Sequence, residues 1–195
     1  MTNESTDPIT RFATIYEEAG RTFPYDATAC TLATTGAGGK PSARVVLLKG
    51  FDEDGFIFYT NLESRKGKEM REVPYATLCF YWPPLTQQVR IEGPVEQVAD
   101  AEADAYFSTR PRGAQIGAWA SKQSATLSDQ SELESRVKKY EEKFAGRDVP
   151  RPPFWSGYRV IPEQIEFWEA RDNRLHERTL YTRKDGKWVM ARLYP

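Results

Sequence analysis

The chain has little of what metal centres and disulfide scaffolds need: one histidine and two cysteines in 195 residues. With a single histidine and no cysteine at ligand spacing, a zinc site is argued against and no metal is expected. Cys30 and Cys79 lie far apart, each inside an apolar run, which fits reduced core thiols and cytoplasmic residence better than a disulfide framework. Charge of either sign is not in excess: 27 Lys and Arg against 28 Asp and Glu leave −1. That balance speaks against a general nucleic-acid or membrane-surface binder, while leaving room for a local basic pocket. No apolar run approaches the length that spans a bilayer. The opening MTNESTDPITRF lacks the charged-then-apolar layout of a signal peptide. Internal repeats and low-complexity tracts are missing as well.

What the chain does have is 39% hydrophobic and 13% aromatic residues, enough for one ordinary domain with a real core. Residues 1–6 are expected to be disordered and 7–195 to form a single domain. The organising stretch is Arg44 to Lys66, RVVLLKGFDEDGFIFYTNLESRK. Arg44-Val45-Val46-Leu47-Leu48-Lys49 reads as a strand, Asp52 to Gly55 as a turn, and Phe56 to Thr60 as the return strand of a hairpin. Ser64 is a good N-cap for a polar helix from about Arg65. A helix start offers unpaired N–H groups. Arg65 and Lys66 add charge, Ser64 and Thr60 add hydroxyls, and Arg44 could point to the same place. An anion site, specifically for phosphate, is one reading; a solvated basic helix turn is the other, since SRK after a strand is a weak motif.

Asp7-Pro8 predicts a helix start, with Ile9, Phe12, Tyr16 and Ala19 on one face and Gly20 as the stop. Strands are expected at 29–35, 76–82 and 87–93, with 95–98 following a Gly93-Pro94 turn. Six short strands with tight connections suggest an antiparallel barrel. Asp100 is expected to cap a helix on which Tyr106 and Arg110 share a face. Residues 113–124 read as a mixed segment. A helix from Ser128 to Phe144 carries Leu133, Val137, Tyr140 and Phe144 as a core stripe. Asp148 to Pro153 reads as a linker inside the domain. Strands follow at 158–160, 164–169, 174–183 and 187–193, with Lys184-Asp185-Gly186 as a hairpin turn. On the 174–183 strand, Arg174, His176 and Arg178 would share one face. Three such groups in a row suit either an exposed surface or the neighbourhood of an anionic ligand.

The segments RVVLLKGFDEDGFIFYTNLESRKGKE, QQVRIEGPVE, YFSTRPRGAQIGAWASKQS and QIEFWEARDNRLHERTLYTRKDGKWVMARLYP, in that order, resemble the pyridoxamine 5′-phosphate oxidase family. The resemblance implies a mostly β, FMN-binding split β-barrel with flanking helices, assembled as a homodimer with FMN at the interface. It implies oxidation of pyridoxamine or pyridoxine 5′-phosphate by O2 to pyridoxal 5′-phosphate with release of H2O2. By the same resemblance Arg44, Val45, Val46, Leu47, Leu48, Lys49, Tyr59, Thr60, Ser64, Arg65, Lys66, Gln88, Gln123, Ser124, Trp168 and Arg178 serve FMN. Lys49, Tyr106 and Arg110 take the substrate phosphate, and Arg174 and His176 stand at the pyridine ring as the catalytic pair.

Two departures stand out. The family often has a serine on the substrate phosphate four residues after the arginine matching Arg110; here that position is Ala114. The chain before Asp7 is also shorter than the N-terminal arm that closes over substrate in many relatives, so that lid is expected to be absent or supplied differently. Two other readings remain: a related flavin oxidase acting on a phenazine-type ring, and a flavin or pyridoxal-phosphate carrier without turnover.

Overall fold

The computed structural model describes residues 7–195; the disorder expected for 1–6 lies outside the described residues. Helix α1 (Pro8–Thr22) starts as expected, with the Asp7 carboxylate accepting from the Ile9 and Thr10 amides. It runs past Gly20, ending with Phe23 as its C-cap. Gly20 stays within helical backbone, so nothing there forces a stop. The buried Phe12 ring meets Phe51, Phe56 and Phe80 edge-on at 4.9, 5.0 and 5.3 Å, which plugs the barrel with one aromatic cluster.

Strands β1 (Ala29–Thr35) and β2 (Pro41–Leu47) pair antiparallel. The expected hairpin between 44–49 and 56–60 is therefore corrected. The tight turn joins a separate short strand β3 (Gly50–Asp52) to β4 (Gly55–Asn61), with the Asp52 carboxylate accepting from the Asp54 and Gly55 amides. Leu48 and Lys49 bridge the two sides, their amides donating to Thr28 and Ile57 carbonyls at 2.9 and 2.8 Å. Helix α2 (Arg65–Glu72) then leads to β5 (Tyr75–Trp82), and a short 3-10 turn (Pro83–Leu85) to β6 (Gln87–Gln97).

No turn occurs at Gly93-Pro94. Strand β6 runs straight through it and changes partners there. Residues 87–92 pair with β8 (Gln164–Glu169) and 95–97 with β7 (Trp155–Val160), while β5 lies along the other side. A side chain at Gly93 would put Cβ 1.8 Å from the Ile161 carbonyl oxygen, so only glycine lets the crossing chain approach. Pro94 needs no amide partner, and its carbonyl accepts from Ile161 N at 2.8 Å. The sheet order is β10-β9-β8-β6-β5-β1-β2, with β7, β4 and β3 continuing from the far half of β6. The last two strands are β9 (Glu177–Lys184) and β10 (Lys187–Leu193). All pairs are antiparallel, and the curled sheet closes around Leu32, Phe56, Phe58, Leu78, Phe80, Val89 and Ile91.

Three helices cover one end. In α3 (Asp100–Thr109) the N-cap is Ala99, without a side-chain bond, and Asp100 lies inside the first turn. Most of the stretch read only as a mixed segment, 113–124, belongs to a helix, α4 (Arg112–Ala120). Gly113 and Gly117 weaken its local propensity, but burial of Gln115, Ile116 and Ala120 holds it. Helix α5 (Gln130–Lys143) is capped by Asp129 rather than started by Ser128. Its stripe is core in part: no residue within α5 is fully buried, but the half-covered Val137 and Tyr140 pack against the second apolar cluster, and Phe144, just beyond the helix end, is buried in it.

The 174–183 strand is also corrected. A 3-10 turn occupies Asp172–Arg174, with Asn173 and Arg174 both left-handed at φ 55° and 61°, and pairing with β8 begins only at Glu177. Arg174 and His176 therefore precede the strand, and the alternation argument reaches only Arg178.

Candidate active site

The site forms where β2, β4, α3 and α4 meet. Ser64 fixes one end. Its buried hydroxyl donates to the Asn61 carbonyl at 2.6 Å and accepts from Gly67 N at 3.3 Å. Gly67 is required here, since a Cβ would fall 2.3 Å from the Leu62 carbonyl oxygen. This tight first turn aims Lys66 inward, 7% exposed, with Nζ 3.2 Å from Thr60 Oγ1, 3.5 Å from Ser64 Oγ and 3.4 Å from Gln123 Oε1. Burial and the neighbouring Arg44 lower its pKa, and Glu69 opposes them. Its direct partners are neutral oxygens, and no salt bridge to it is found among the described residues. A buried cation without a counter-charge is costly unless an anion completes it.

Arg44 and Arg65 turn the other way, onto Glu69. Arg65 Nε donates to Oε1 at 2.8 Å; Arg44 reaches Oε2 at 3.3 Å and also bonds Thr34 and Ser42. Thr34 and Ser42 hydroxyls each donate to Oε2 at 2.6 Å. Burial works to raise the Glu69 carboxyl, and these bonds from Ser42, Thr34, Arg65 and Arg44 outweigh it, holding its pKa near about 2. Arg65 and Ser124 line a neighbouring concavity that shares Gln123 with the main cavity.

That main cavity, about 490 Å³, falls in the range of small-molecule sites. It brings together Val45, Val46, Leu47, Lys49, Tyr59, Thr60, Lys66, Tyr106, Arg110 and Gln123. Leu48 is buried and faces the core. Residues beyond the sequence expectation also line it: Asn61, Gly117, Ala118, Ser121 and Trp155, together with Ala114. Ala114, Gly117, Ala118 and Ser121 recur at i, i+3, i+4 and i+7, a periodicity that was readable and that presents one small-residue wall. In the cavity wall Tyr59 stacks on Tyr106 with centroids 4.0 Å apart. Burial, with Glu102 and Tyr106, pushes the Tyr59 hydroxyl up to about 12. Arg110 Nη1 is buried there without a hydrogen-bond partner among the described residues. The cavity is thus lined by three cationic side chains, Lys49, Lys66 and Arg110.

Gln88, Trp168, Arg174, His176 and Arg178 do not line this cavity. Gln88, Trp168 and Arg178 stand in register across β6, β8 and β9. The His176 ring packs on Trp168 at 4.6 Å, and its Nδ1 accepts from Arg171 N at 3.2 Å. Arg178 is not a free cation: Nε donates to the buried Glu166 at 2.6 Å, and that bond raises its pKa. Glu166 also receives Arg90 at 2.7 Å. Five strand spacings separate β9 from β2, roughly 24 Å along the curled sheet. The chain therefore carries two separate constellations.

Among the described residues no helix is long and apolar enough to cross a membrane. A family model described as pyridoxamine 5′-phosphate oxidase matches residues 16–144, and one described as the pyridoxine 5′-phosphate oxidase C-terminal dimerisation region matches 155–195. The chain is 60% identical over 189 residues to a pyridoxine/pyridoxamine 5′-phosphate oxidase of Myxococcus xanthus strain DK1622, covering 97% of this chain and 92% of that one. It is 54% identical to the protein of that name from Rubrobacter xylanophilus, covering 97% and 87%. Among solved structures, PhzG of Burkholderia lata 383, in complex with tetrahydrophenazine-1-carboxylic acid, superposes with a TM-score of 0.93 at 32% identity, covering 99% of this chain and 95% of PhzG.

Proposed function

Because the chain belongs to the pyridoxamine 5′-phosphate oxidase family, we propose that it oxidises pyridoxamine and pyridoxine 5′-phosphate to pyridoxal 5′-phosphate with FMN and O2. The observation that carries this reading is one cavity lined by Lys49, Lys66 and Arg110, in which, among the described residues, Lys66 has no salt-bridge partner and Arg110 Nη1 has no acceptor. Two phosphorylated molecules side by side would complete both. The donor set suits FMN: the Lys66 ammonium, the Thr60 hydroxyl and Gln123 for its phosphate end, with the small-residue wall of α4 leaving room for a flat ring. FMN, which Lys66, Thr60 and Gln123 would hold, would supply the redox chemistry for a two-electron oxidation at C4′ of the substrate, with O2 as the final acceptor and H2O2 as its product. The amine substrate then yields ammonia after addition of water; the alcohol yields the aldehyde directly.

The protein's own work is positioning. Lys49, Tyr106 and Arg110 hold the substrate phosphate. Arg174, whose guanidinium is planar, covers the pyridine ring face. His176 orients the ring: with Nδ1 accepting from Arg171 N, its neutral form carries the proton on Nε2 and donates from there. Since the 168–178 cluster does not reach the cavity of its own protomer, the complete site is proposed to form across a two-fold homodimer, one subunit giving Lys66 and Arg110 and the other Arg174, His176 and Arg178. The match of residues 155–195 to a dimerisation region supports this assembly.

The test is the visible spectrum of the purified protein without oxygen, before and after pyridoxamine 5′-phosphate. Bleaching of a yellow protein, with recovery in air and formation of H2O2 and pyridoxal 5′-phosphate, supports the reading. A protein that takes up no FMN overturns it. The shared site is tested by mixing inactive Lys66→Met and Arg174→Ala chains after reversible dissociation. Random two-fold pairing places one intact site in half of the dimers, so roughly a quarter of wild-type activity should return. No recovery would put both constellations in one subunit.

A second reading, oxidation of a phenazine-type ring, is favoured by the superposition on PhzG. A protein that is reduced by a dihydrophenazine carboxylic acid and not by pyridoxine 5′-phosphate would move the assignment there. A yellow protein reduced by neither would point to a flavin or pyridoxal-phosphate carrier.

A further inference from the structure

Trp155 opens β7 and is 6% exposed. Its ring is parallel to those of Tyr59 and Tyr106, at 5.3 Å and 7° and at 6.2 Å and 4°. The Arg110 guanidinium carbon stands 4.7 Å from the Trp155 ring centroid, with Phe107 flanking the same group at 5.6 Å. No carboxylate forms a salt bridge with Arg110 among the described residues, although eight other arginines of this chain have such a partner. This arginine is held by rings instead.

That choice of partner has a consequence. A carboxylate would occupy the N–H donors and compete with any anion entering the cavity. An aromatic face stabilises the cation electrostatically but offers no lone pair. The guanidinium is thereby fixed in place while Nη1 keeps its demand for an acceptor. A buried N–H left in that condition is expensive, so it forms a pre-organised donor whose cost is relieved when an anion arrives.

The backbone that carries this ring is itself anchored. Arg151 Nη1 donates to the Trp155 carbonyl at 2.8 Å, while Nη2 and Nε of the same side chain bond Asp100 and Asp104 at 2.8 and 2.5 Å. Both aspartates belong to α3, and Arg110 is the C-cap of α3. One arginine therefore ties the start of β7 to the helix that carries Tyr106 and Arg110, and the stack is set as a unit.

We propose that Trp155 is a positioning residue for the phosphate of the substrate: its ring holds the Arg110 guanidinium at the cavity wall and leaves the N–H donors free for phosphate oxygens. This rests on the reading of Arg110 as the phosphate anchor. It also gives Ala114 a context, because a site with one hydroxyl donor fewer depends more on how firmly its arginine is placed.

The experiment uses the FMN-loaded enzyme and three variants, Trp155→Leu, Trp155→Phe and Arg110→Met. Measured are KM and kcat for pyridoxine 5′-phosphate, the inhibition constant of inorganic phosphate, and the Kd of FMN. For Trp155→Leu, KM and the phosphate inhibition constant should both rise about tenfold, the size of a desolvated cation–π contact. The kcat and FMN Kd should stay within about twofold. Trp155→Phe, with a smaller and weaker ring, should show about a threefold rise in the same two constants. A Trp155→Leu enzyme with wild-type KM and phosphate inhibition, or one in which kcat and FMN affinity fall as far as phosphate affinity does, overturns the proposal. If only Trp155→Phe yields holoenzyme, wild-type values in it overturn the proposal as well. Arg110→Met separates the layers. Unchanged phosphate constants there sink the anchor reading and this inference with it; a large loss there beside a silent Trp155→Leu sinks this inference alone.

Discussion

Lys66 Nζ stands 3.4 Å from Gln123 Oε1, 57 residues away, with the Thr60 hydroxyl 3.2 Å from the same ammonium. Helix α2, strand β4 and the segment after α4 converge on one buried positive charge, and the groups bonded to it among the described residues supply dipoles, no salt bridge being formed there. The Lys66→Met variant should therefore show two opposite effects. FMN affinity should fall about 10- to 100-fold, as expected for losing a charge-assisted bond of roughly 1.5–3 kcal/mol. The apoprotein should melt no lower than wild type, because an uncompensated buried cation has been replaced by an apolar chain. Flavin fluorescence titration and apoprotein melting check the pair; unchanged FMN affinity would remove Lys66 from the cofactor site.

Glu69 ties β1, β2 and α2 together through Thr34, Ser42, Arg44 and Arg65. Its pKa is held near about 2, below the usual glutamate value of 4.5. A depressed carboxylate stabilises the fold above its unfolded value and loses that contribution as pH falls through the folded one. Glu69→Gln should thus be less stable than wild type at neutral pH, by on the order of 1–3 kcal/mol. The gap should close as pH drops from about 4.5 toward about 2. Denaturant unfolding of both proteins across that range tests it, and a gap independent of pH would mean that the charge on Glu69 is not what matters.

Gly93 sits where β6 changes partner, and a Cβ there would overlap the Ile161 carbonyl oxygen. Gly93→Ala should cost about 3 kcal/mol, since backbone rather than a pliable side chain must give way. Urea unfolding of the apoprotein measures this. A cost under roughly 0.5 kcal/mol, the level of a neutral surface change, would show that the crossing is looser than described.

His176 accepts a bond at Nδ1 from the Arg171 amide, which leaves Nε2–H as a donor. His176→Asn keeps a donor and should retain kcat within about tenfold, as orientation without proton transfer requires. The alternative outcome is a collapse of kcat restored at high pH, which would assign the imidazole a proton-accepting role.

Much of this protein was legible along the chain because the signals were local. Asp7-Pro8, Ser64 and the Asp52 to Gly55 turn name their own caps and turns, and period-2 runs such as 76–82 can be little else than strands. The resemblance carried by RPR-x-x-QIGAW, SKQS and RLHER named the family from side-chain identity alone. Three features needed the tertiary structure. Strand β6 passes through Gly93-Pro94 because a second strand pair and the Ile161 backbone wait there; read locally, the same dipeptide is a turn. Helix α4 forms despite its two glycines because Ile116 is buried against a distant cluster. Arg174 and His176 leave the strand because two left-handed residues precede it, a backbone choice that the sequence pattern does not display. The same holds for charge. Sequence placed Arg44, Arg65 and Lys66 in one basic group, yet folding gives the two arginines to Glu69 and leaves Lys66 in the cavity. Composition determined which charges exist; the packing of α2 against β1 and β2 decided which of them, among the described residues, took a carboxylate partner.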